Sequence, residues 1–391
     1  MESFIVGYAR TPIGSFQGGL SSLTAVELGS IVIRETLKKS GNYINEVDEV
    51  IFGNVLSAGI GQAPARQASI LAGLPNSVEC MTINKVCGSG MKSIMLADQA
   101  IRCGDANFII SGGMESMSNA PYYLKESRSG MRLGHKKIID SLVYDGLWDP
   151  YDNLHMGSCA EVLSKEAKIS RSEQDNYALE SYQRALNAIA NGDYKDEIVP
   201  VSVHEKKGKT SVVSIDEEPN KGKPEKISKL HPAFEKDGTI TVANASGIND
   251  GAASIAIISK KKIEDLNLLP IAKIIAQTSV AHEPLYFTTA PSKAISKLLN
   301  KTGLTIDDID IFEINEAFSN VPLITMKEHN ISYDKVNIFG GAVSLGHPIG
   351  ASGTRIVISL ITALRKRKKK IGLATICIGG GEATALIIEI K

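Results

Sequence analysis

Residues 39–48 read KSGNYINEVD and residues 301–310 read KTGLTIDDID, a repetition at an offset of 262 residues. A second pair follows at an offset of 263: CGSGMKSIMLADQAI at 87–101 and GASGTRIVISLITAL at 350–364. The first pair follows apolar-periodic helices around Leu28–Leu37 and Ala294–Leu299. It leads into the short apolar strands Val50–Phe52 and Ile311–Ile314, and then to Asn54 and Asn315. The second pair opens helices from Gly/Ser turns, and each helix is followed by a strand ending in glycines, FIISGGME at 108–115 and TICIGGGE at 375–382. A repeat of more than a hundred residues with alternating helix and strand is too long for a solenoid and describes two similar α/β halves facing one another. Segment 121–250 has no counterpart in the second half and reads as an insertion. It carries the charged stretches Glu205–Lys209 and Asp216–Lys226. It also carries a helix from Ser172 to Ile189, capped by Ser170 with Glu173 completing a capping box.

The 391 residues hold 43 basic and 43 acidic side chains, a neutral balance that argues against a nucleic-acid binder. No apolar run approaches the roughly 18 residues of a membrane span, and the N-terminus does not read as a signal peptide. The five cysteines, at 80, 87, 103, 159 and 377, are odd in number and widely spaced, which disfavours a disulfide framework or a zinc site. These features lead us to expect a cytoplasmic protein with no metal. Three candidate phosphate loops fail: Gly59–Pro64 ends in proline, the turn around His347 lacks a Walker lysine, and no helix clearly follows Gly379–Gly381. The basic run Arg365–Lys370 reads as a solvated helix end.

Cys87 lies in NKVCGSG, just before an apolar helix. A thiol facing unpaired N–H groups and the positive end of a helix is expected to have a lowered pKa. Gly88 and Gly90 are expected to let a substrate approach the backbone. His347 occupies the matching turn of the second half, GHPIGASG, so pseudo-twofold packing brings a base towards the thiol. Cys377 precedes three glycines whose N–H groups suit an oxyanion hole. Asn315 follows a buried strand and can orient a histidine or a water. Together these residues point to cysteine-based acyl transfer without fixing the substrate.

The chain resembles the thiolases from Arg10–Gly14 to Cys377–Gly381. The resemblance is carried by GNVLSAGIGQAPARQASILAGLP at 53–75, NKVCGSGMKS at 84–93, SGGMESMS at 111–118, NASGINDGAA at 244–253, NEAF at 315–318 and GGAVSLGHPIGASGTR at 340–355. It implies an α/β thiolase fold: two αβ halves in an αβαβα arrangement with an inserted loop domain. The divisions are 1–120 with 245–268 for the first half, 121–244 for the loop domain and 269–391 for the second half. By position it implies that Cys87 is the nucleophile, His347 its activator, Cys377 the second acid/base and Asn315 the holder of an oxyanion-hole water. Backbone N–H groups of Cys87 and Gly379 form the other oxyanion hole. Ser246, Leu147, His155, Met156, Phe287 and Phe318 are implied in substrate binding, with Met156 limiting acyl length. The run from Met131 to Gly157 is similar to the short-chain type, which condenses two acetyl-CoA to acetoacetyl-CoA with release of CoA, reversibly, and forms homodimers or homotetramers. No cofactor is implied, since the coenzyme A thioesters are substrates.

Some positions depart from the family pattern: Glu382-Ala383 after the glycines, Phe287-Thr288, His231, Val242-Ala243 and Pro322. All are expected near the acyl or CoA pocket, and Pro322 to kink its helix. Three alternatives are a 3-ketoacyl-CoA thiolase of broader chain length, a decarboxylating ketoacyl synthase and a non-enzymatic acyl-CoA carrier. The synthase is disfavoured by Cys377, where it carries a second histidine.

Overall fold

The structure, a computed structural model, describes residues 1–204 and 208–391, so Glu205–Lys207 of the charged stretch at 205–209 lie outside the described residues. The main sheet contains nine principal strands: β1 (Ser3–Arg10), β2 (Glu49–Gly53), β3 (Glu79–Ile83), β4 (Phe108–Ser116), β5 (Asn249–Ser259), β6 (Ala272–Ala281), β7 (Ile311–Ile314), β8 (Ile371–Ile378) and β9 (Glu382–Ile390). Their spatial order is β7-β8-β9-β6-β1-β5-β4-β2-β3, and a short strand, Gly14–Ser15, pairs with β5. The order is the same read inwards from either side: β2-β4-β5-β1 mirrors β7-β8-β9-β6, with β3 added at the first half's edge. Pairing senses agree as well, since β2 with β4 and β7 with β8 are parallel and the inner pairs antiparallel, while the added edge strand β3 runs parallel to β2. The halves meet where β1 and β6 run antiparallel, Phe4 opposite Lys273 and Ile5 opposite Ala272. Both β1 and β6 carry a register shift near the start, at Ile5/Gly7 and Ile274/Ala276. The sequence repeat is therefore a pseudo-twofold axis.

Among the described residues ten α-helices accompany the sheet: α1 (Ala25–Lys39), α2 (Pro64–Ala72), α3 (Ser89–Cys103), α4 (Met156–Glu166), α5 (Arg171–Asn191), α6 (Lys260–Leu266), α7 (Ala290–Thr302), α8 (Asn320–His329), α9 (Ala342–Leu345) and α10 (Ile349–Arg367). Strand alternation explains the five layers. Phe108 and Ile110 join the cluster under α1 and α2, whereas Ile109 joins the one around α3 and α10. In the second half Ile387 faces the α7 side and Leu386 and Ile388 the centre. Helices α3 and α10 are thus covered by sheet on two sides. Sixteen consecutive residues of α10, Ile349–Leu364, are buried, and its basic end from Arg365 is exposed.

The capping box expected at Ser170 and Glu173 starts α5. The kink expected at Pro322 is not needed. Pro322 is the third residue of α8, and N–H groups of the first helical turn have no intrahelical acceptor to lose. The unpaired segment supplies α4, α5 and a hairpin pairing Val201–His204 with Thr210–Val213. No helix among the described residues is long and apolar enough to cross a membrane, and none of their His, Cys, Asp or Glu side chains group in threes or more able to hold a metal.

Candidate active site

The two glycine turns found by the repeat converge. A Cβ on Gly90 would stand 2.8 Å from the Thr354 nitrogen, and one on Gly353 would overlap the Met91 nitrogen, so α3 and α10 touch through glycines at their N-terminal ends. A Cβ on Gly88 would overlap Ile378. Gly88 and Gly90 therefore permit protein packing, not the substrate approach expected of them. The consequence for function is that Cys87 and His347, each just ahead of its helix, face one cavity of about 500 Å³. Cys377 and Gly379, from the end of β8, share that wall.

Of the other expected binding residues, Ser246, Leu147, His155, Met156, Phe287 and Phe318 also line the cavity. Phe318 meets Phe287 and Phe234 edge-on at 6.1 Å each, and Phe234 stacks on His155 at 4.9 Å. The His155 ring caps α4, its Nδ1 accepting from Gly157 N–H at 3.0 Å, and burial holds its pKa below the usual histidine range. Asn315 stands behind the wall, fully buried after β7. Its Oδ1 accepts from Arg355 Nη2 at 3.2 Å, and its Nδ2 has no protein partner. The departures divide: Phe287 and Val242 line the cavity, whereas His231, Pro322 and Glu382 do not.

The lowered thiol pKa expected for Cys87 is not found. Burial pushes the thiol up to about 11, against the opposing pull of the Gly379 and Cys87 N–H groups and with a further upward push from Glu115. The loss of hydration on burial outweighs the help of the N–H groups at the helix end. Cys377 is pushed up by burial and then by Cys87, which places the two thiols within electrostatic reach. Burial lowers His347 to about 3, with Arg355 adding to the effect. Thiols and imidazole are therefore all neutral at rest.

The imidazole tautomer follows from its neighbour. His347 Nδ1 lies 2.6 Å from Ser352 Oγ, and the Ser352 hydroxyl donates its one proton to the Pro348 carbonyl at 2.9 Å. Nδ1 must then carry the hydrogen, which leaves Nε2 as a bare, buried acceptor without a protein partner. The turn is held from the first half. Asn249 Oδ1 accepts from His347 N–H at 2.9 Å, and the Glu115 carboxylate accepts from Gly350 N–H at 2.9 Å. Glu115 also takes bonds from Asn54, Val55 and Leu56. Its pKa stands at about 7 because burial exceeds the help of those N–H groups. Ahead of the thiol, Val86 adopts φ 45°, a left-handed conformation costly for a β-branched residue. Asn84 Oδ1 and Ser89 Oγ brace this turn by accepting from Val86 and Lys85 N–H groups.

Sequence reasoning passed over Val86, Glu115, Asn249, Ser352 and Arg355. Ser352 and Arg355 lay in plain view within the GASGTR motif, one and two helical steps from the histidine. Glu115 and Asn249 lie within the SGGMESMS and NASGINDGAA motifs, but what they hold depends on contacts across 235 and 98 residues respectively.

A half-buried thiol, a buried neutral imidazole with a bare nitrogen, and a second, buried thiol on one apolar cavity are the groups that acyl transfer with two acid/base steps requires. The family models for the thiolase N-terminal and C-terminal domains match residues 3–261 and 268–390. The chain belongs to the thiolase family. It is 51% identical over 387 residues to an acetyl-CoA acetyltransferase of Yarrowia lipolytica, covering 99% of this chain and 96% of that protein. The Ascaris suum thiolase crystallised in complex with coenzyme A superposes with a TM-score of 0.95 at 44% identity, covering both chains in full. A Bacillus anthracis acetyl-CoA acetyltransferase superposes with a TM-score of 0.97 at 41% identity, covering 100% of this chain and 99% of that one.

Proposed function

We propose that the protein is an acetyl-CoA C-acetyltransferase, condensing two acetyl-CoA to acetoacetyl-CoA and CoA through an acetyl-Cys87 intermediate, and running reversibly as thiolysis. The observation that carries this reading is the placement of Cys87, His347, Cys377 and Gly379 on one apolar cavity. In the first stage His347 Nε2 takes the Cys87 proton as the sulfur attacks the acetyl carbon. The negative oxygen of the tetrahedral adduct accepts from the Cys87 and Gly379 N–H groups. The carbon–sulfur bond to CoA breaks, and Cys377 protonates the departing thiolate. In the second stage the Cys377 thiolate removes an α-proton from a second acetyl-CoA. The enolate oxygen is stabilised by His347 and by a water on Asn315. The enolate carbon attacks acetyl-Cys87, the thioester bond to Cys87 breaks, and His347 returns the proton to its sulfur. Protons and thiols balance over the cycle.

The neutral resting state suits this scheme, because thiolate and imidazolium then arise together, as substrate arrives. Ser246, Leu147, His155, Met156, Phe287 and Phe318 are proposed to hold the acyl group and the arm of coenzyme A. The exposed apolar side chains Tyr122, Leu133 and Ile138 on the inserted segment support assembly into homodimers or homotetramers. The compartment is proposed as the cytoplasm, with free thiols at Cys87 and Cys377 that need reducing conditions.

The test is CoA-dependent thiolysis across 3-ketoacyl-CoA chain lengths, with mass analysis of the Cys87 peptide after acetyl-CoA alone. Activity confined to acetoacetyl-CoA with an acetylated Cys87 supports the reading. Equal activity on longer chains assigns the broader 3-ketoacyl-CoA thiolase instead. Cys87→Ala with full turnover would overturn the mechanism.

A further inference from the structure

Lys85 stands two residues before Cys87, and Glu382 three residues after Gly379. Their side chains form an ion pair across 297 residues of sequence, one partner from each half. Glu382 was a departure from the family pattern with an expected place at the pocket. The structure puts it instead against the turn that carries the nucleophile. Lys92, in the first turn of α3, lies within electrostatic reach of the same carboxylate.

The two N–H donors of the proposed oxyanion hole lie on loops that meet through Gly88 against Ile378 and through Val86 beside Gly379. One loop contains Val86 at φ 45°, the other Gly380 and Gly381 at φ 88° and 80°. Gly381 is pinned on its far side, where its carbonyl accepts from His282 N–H at 2.9 Å. Gly379 itself is only loosely held: a Cβ there would meet Met156 Sδ at 3.5 Å and Val86 Cγ1 at 3.7 Å, ordinary van der Waals contacts with no overlap. A single developing oxyanion must take both bonds at about 2.7–3.1 Å, so the spacing between loops is a quantity that must be held.

We propose that the Lys85–Glu382 ion pair is a clamp that sets the spacing of the Cys87 and Gly379 N–H donors, so that both residues are positioning residues for the acylation step. The inference rests on the acyl-transfer reading above. The pair is partly exposed, 24% at Lys85 and 35% at Glu382. Partly exposed pairs contribute little to global stability, which separates a positioning role from a structural one.

The experiment is rapid-quench acetylation of Cys87 by acetyl-CoA in wild type, E382Q, K85M, the double variant K85M/E382Q and the charge-swapped K85E/E382K. Each single variant should slow acetylation about three- to tenfold, with KM for acetyl-CoA and melting temperature close to wild type. The double variant should be no slower than the singles, and the charge swap should recover most of the rate. Single variants at the wild-type rate, losses that multiply in the double variant, or a swap that recovers nothing would each overturn the clamp. If E382Q does not fold, E382D, shorter by one methylene, carries the same expectation of slowed acetylation. A wild type that forms no acetyl-Cys87 overturns the acyl-transfer reading itself, an outcome distinct from a clamp that fails in an acetylating enzyme.

Discussion

Arg355 Nη2 donates to Asn315 Oδ1 at 3.2 Å, and this bond decides which end of the Asn315 amide is free. With the oxygen held, Nδ2 is left as an unpartnered buried donor. Arg355 is itself fully buried, and Glu313 lies 4.0 Å from it. Burial pushes Glu313 up to about 8 in spite of Arg355, so the pair is weakly ionic at neutral pH. Arg355→Met should release the amide while leaving a largely neutral acid behind. Condensation and α-proton exchange should fall about tenfold, about 1.4 kcal/mol in barrier. Exchange of labelled CoA into acetyl-CoA, which needs only the proposed Cys87 and Gly379 donors, should stay near wild type. Equal loss in both assays would mean a general structural defect.

Ser352 fixes the tautomer of His347. Ser352→Ala removes the acceptor of the Nδ1 hydrogen and leaves a buried donor unpaired, a penalty of about 1–3 kcal/mol. The expected outcome is a kcat lowered about tenfold or more with little change in KM for acetyl-CoA. Ser352→Thr, which keeps the hydroxyl, should retain more of the rate than the alanine variant. Steady-state kinetics of the two variants decide this.

The resting thiol should behave as a protonated one. With Cys87 pushed up to about 11 and His347 down to about 3, the thiolate fraction in the free enzyme rises with pH through the whole neutral and mildly alkaline range. Alkylation of Cys87 by iodoacetamide, followed on the Cys87 peptide, should therefore increase steadily from pH 6 to 9 without levelling, by about tenfold per pH unit. A plateau reached by about pH 7 would reveal a standing thiolate–imidazolium pair, as the helix end alone suggests.

Met156, with Val86, Gly146 and Gly379, lines both the cavity at Cys87 and a second one of about 660 Å³. Met156→Ala should join the two and admit longer acyl chains. Thiolysis of six- and eight-carbon 3-ketoacyl-CoA should rise relative to acetoacetyl-CoA, while stability drops by about 2–5 kcal/mol for the truncated core side chain. An unchanged chain-length profile would place the limit at Phe287 or Phe318 instead.

The sequence by itself determined the doubling of the fold. Period-two strands, period-3.6 helices and glycine turns recur at one offset, and local patterning of that kind survives in a one-dimensional reading. It also exposed Cys87, His347, Cys377 and Asn315, because each follows or precedes a motif tied to a helix start or strand end. Tertiary structure decided their chemical state. The helix end near Cys87 is visible in the chain, but the desolvation that raises its thiol comes from residues brought in by both halves. Gly88 and Gly90 looked open to a substrate until Ile378 and Thr354 were seen to fill that space. Glu382, an oddity in the chain, acquired a partner only when Lys85 arrived from the opposite half. Burial, hydrogen-bond satisfaction and ion pairing are sums over neighbours distant in sequence. They therefore became readable only with the halves assembled.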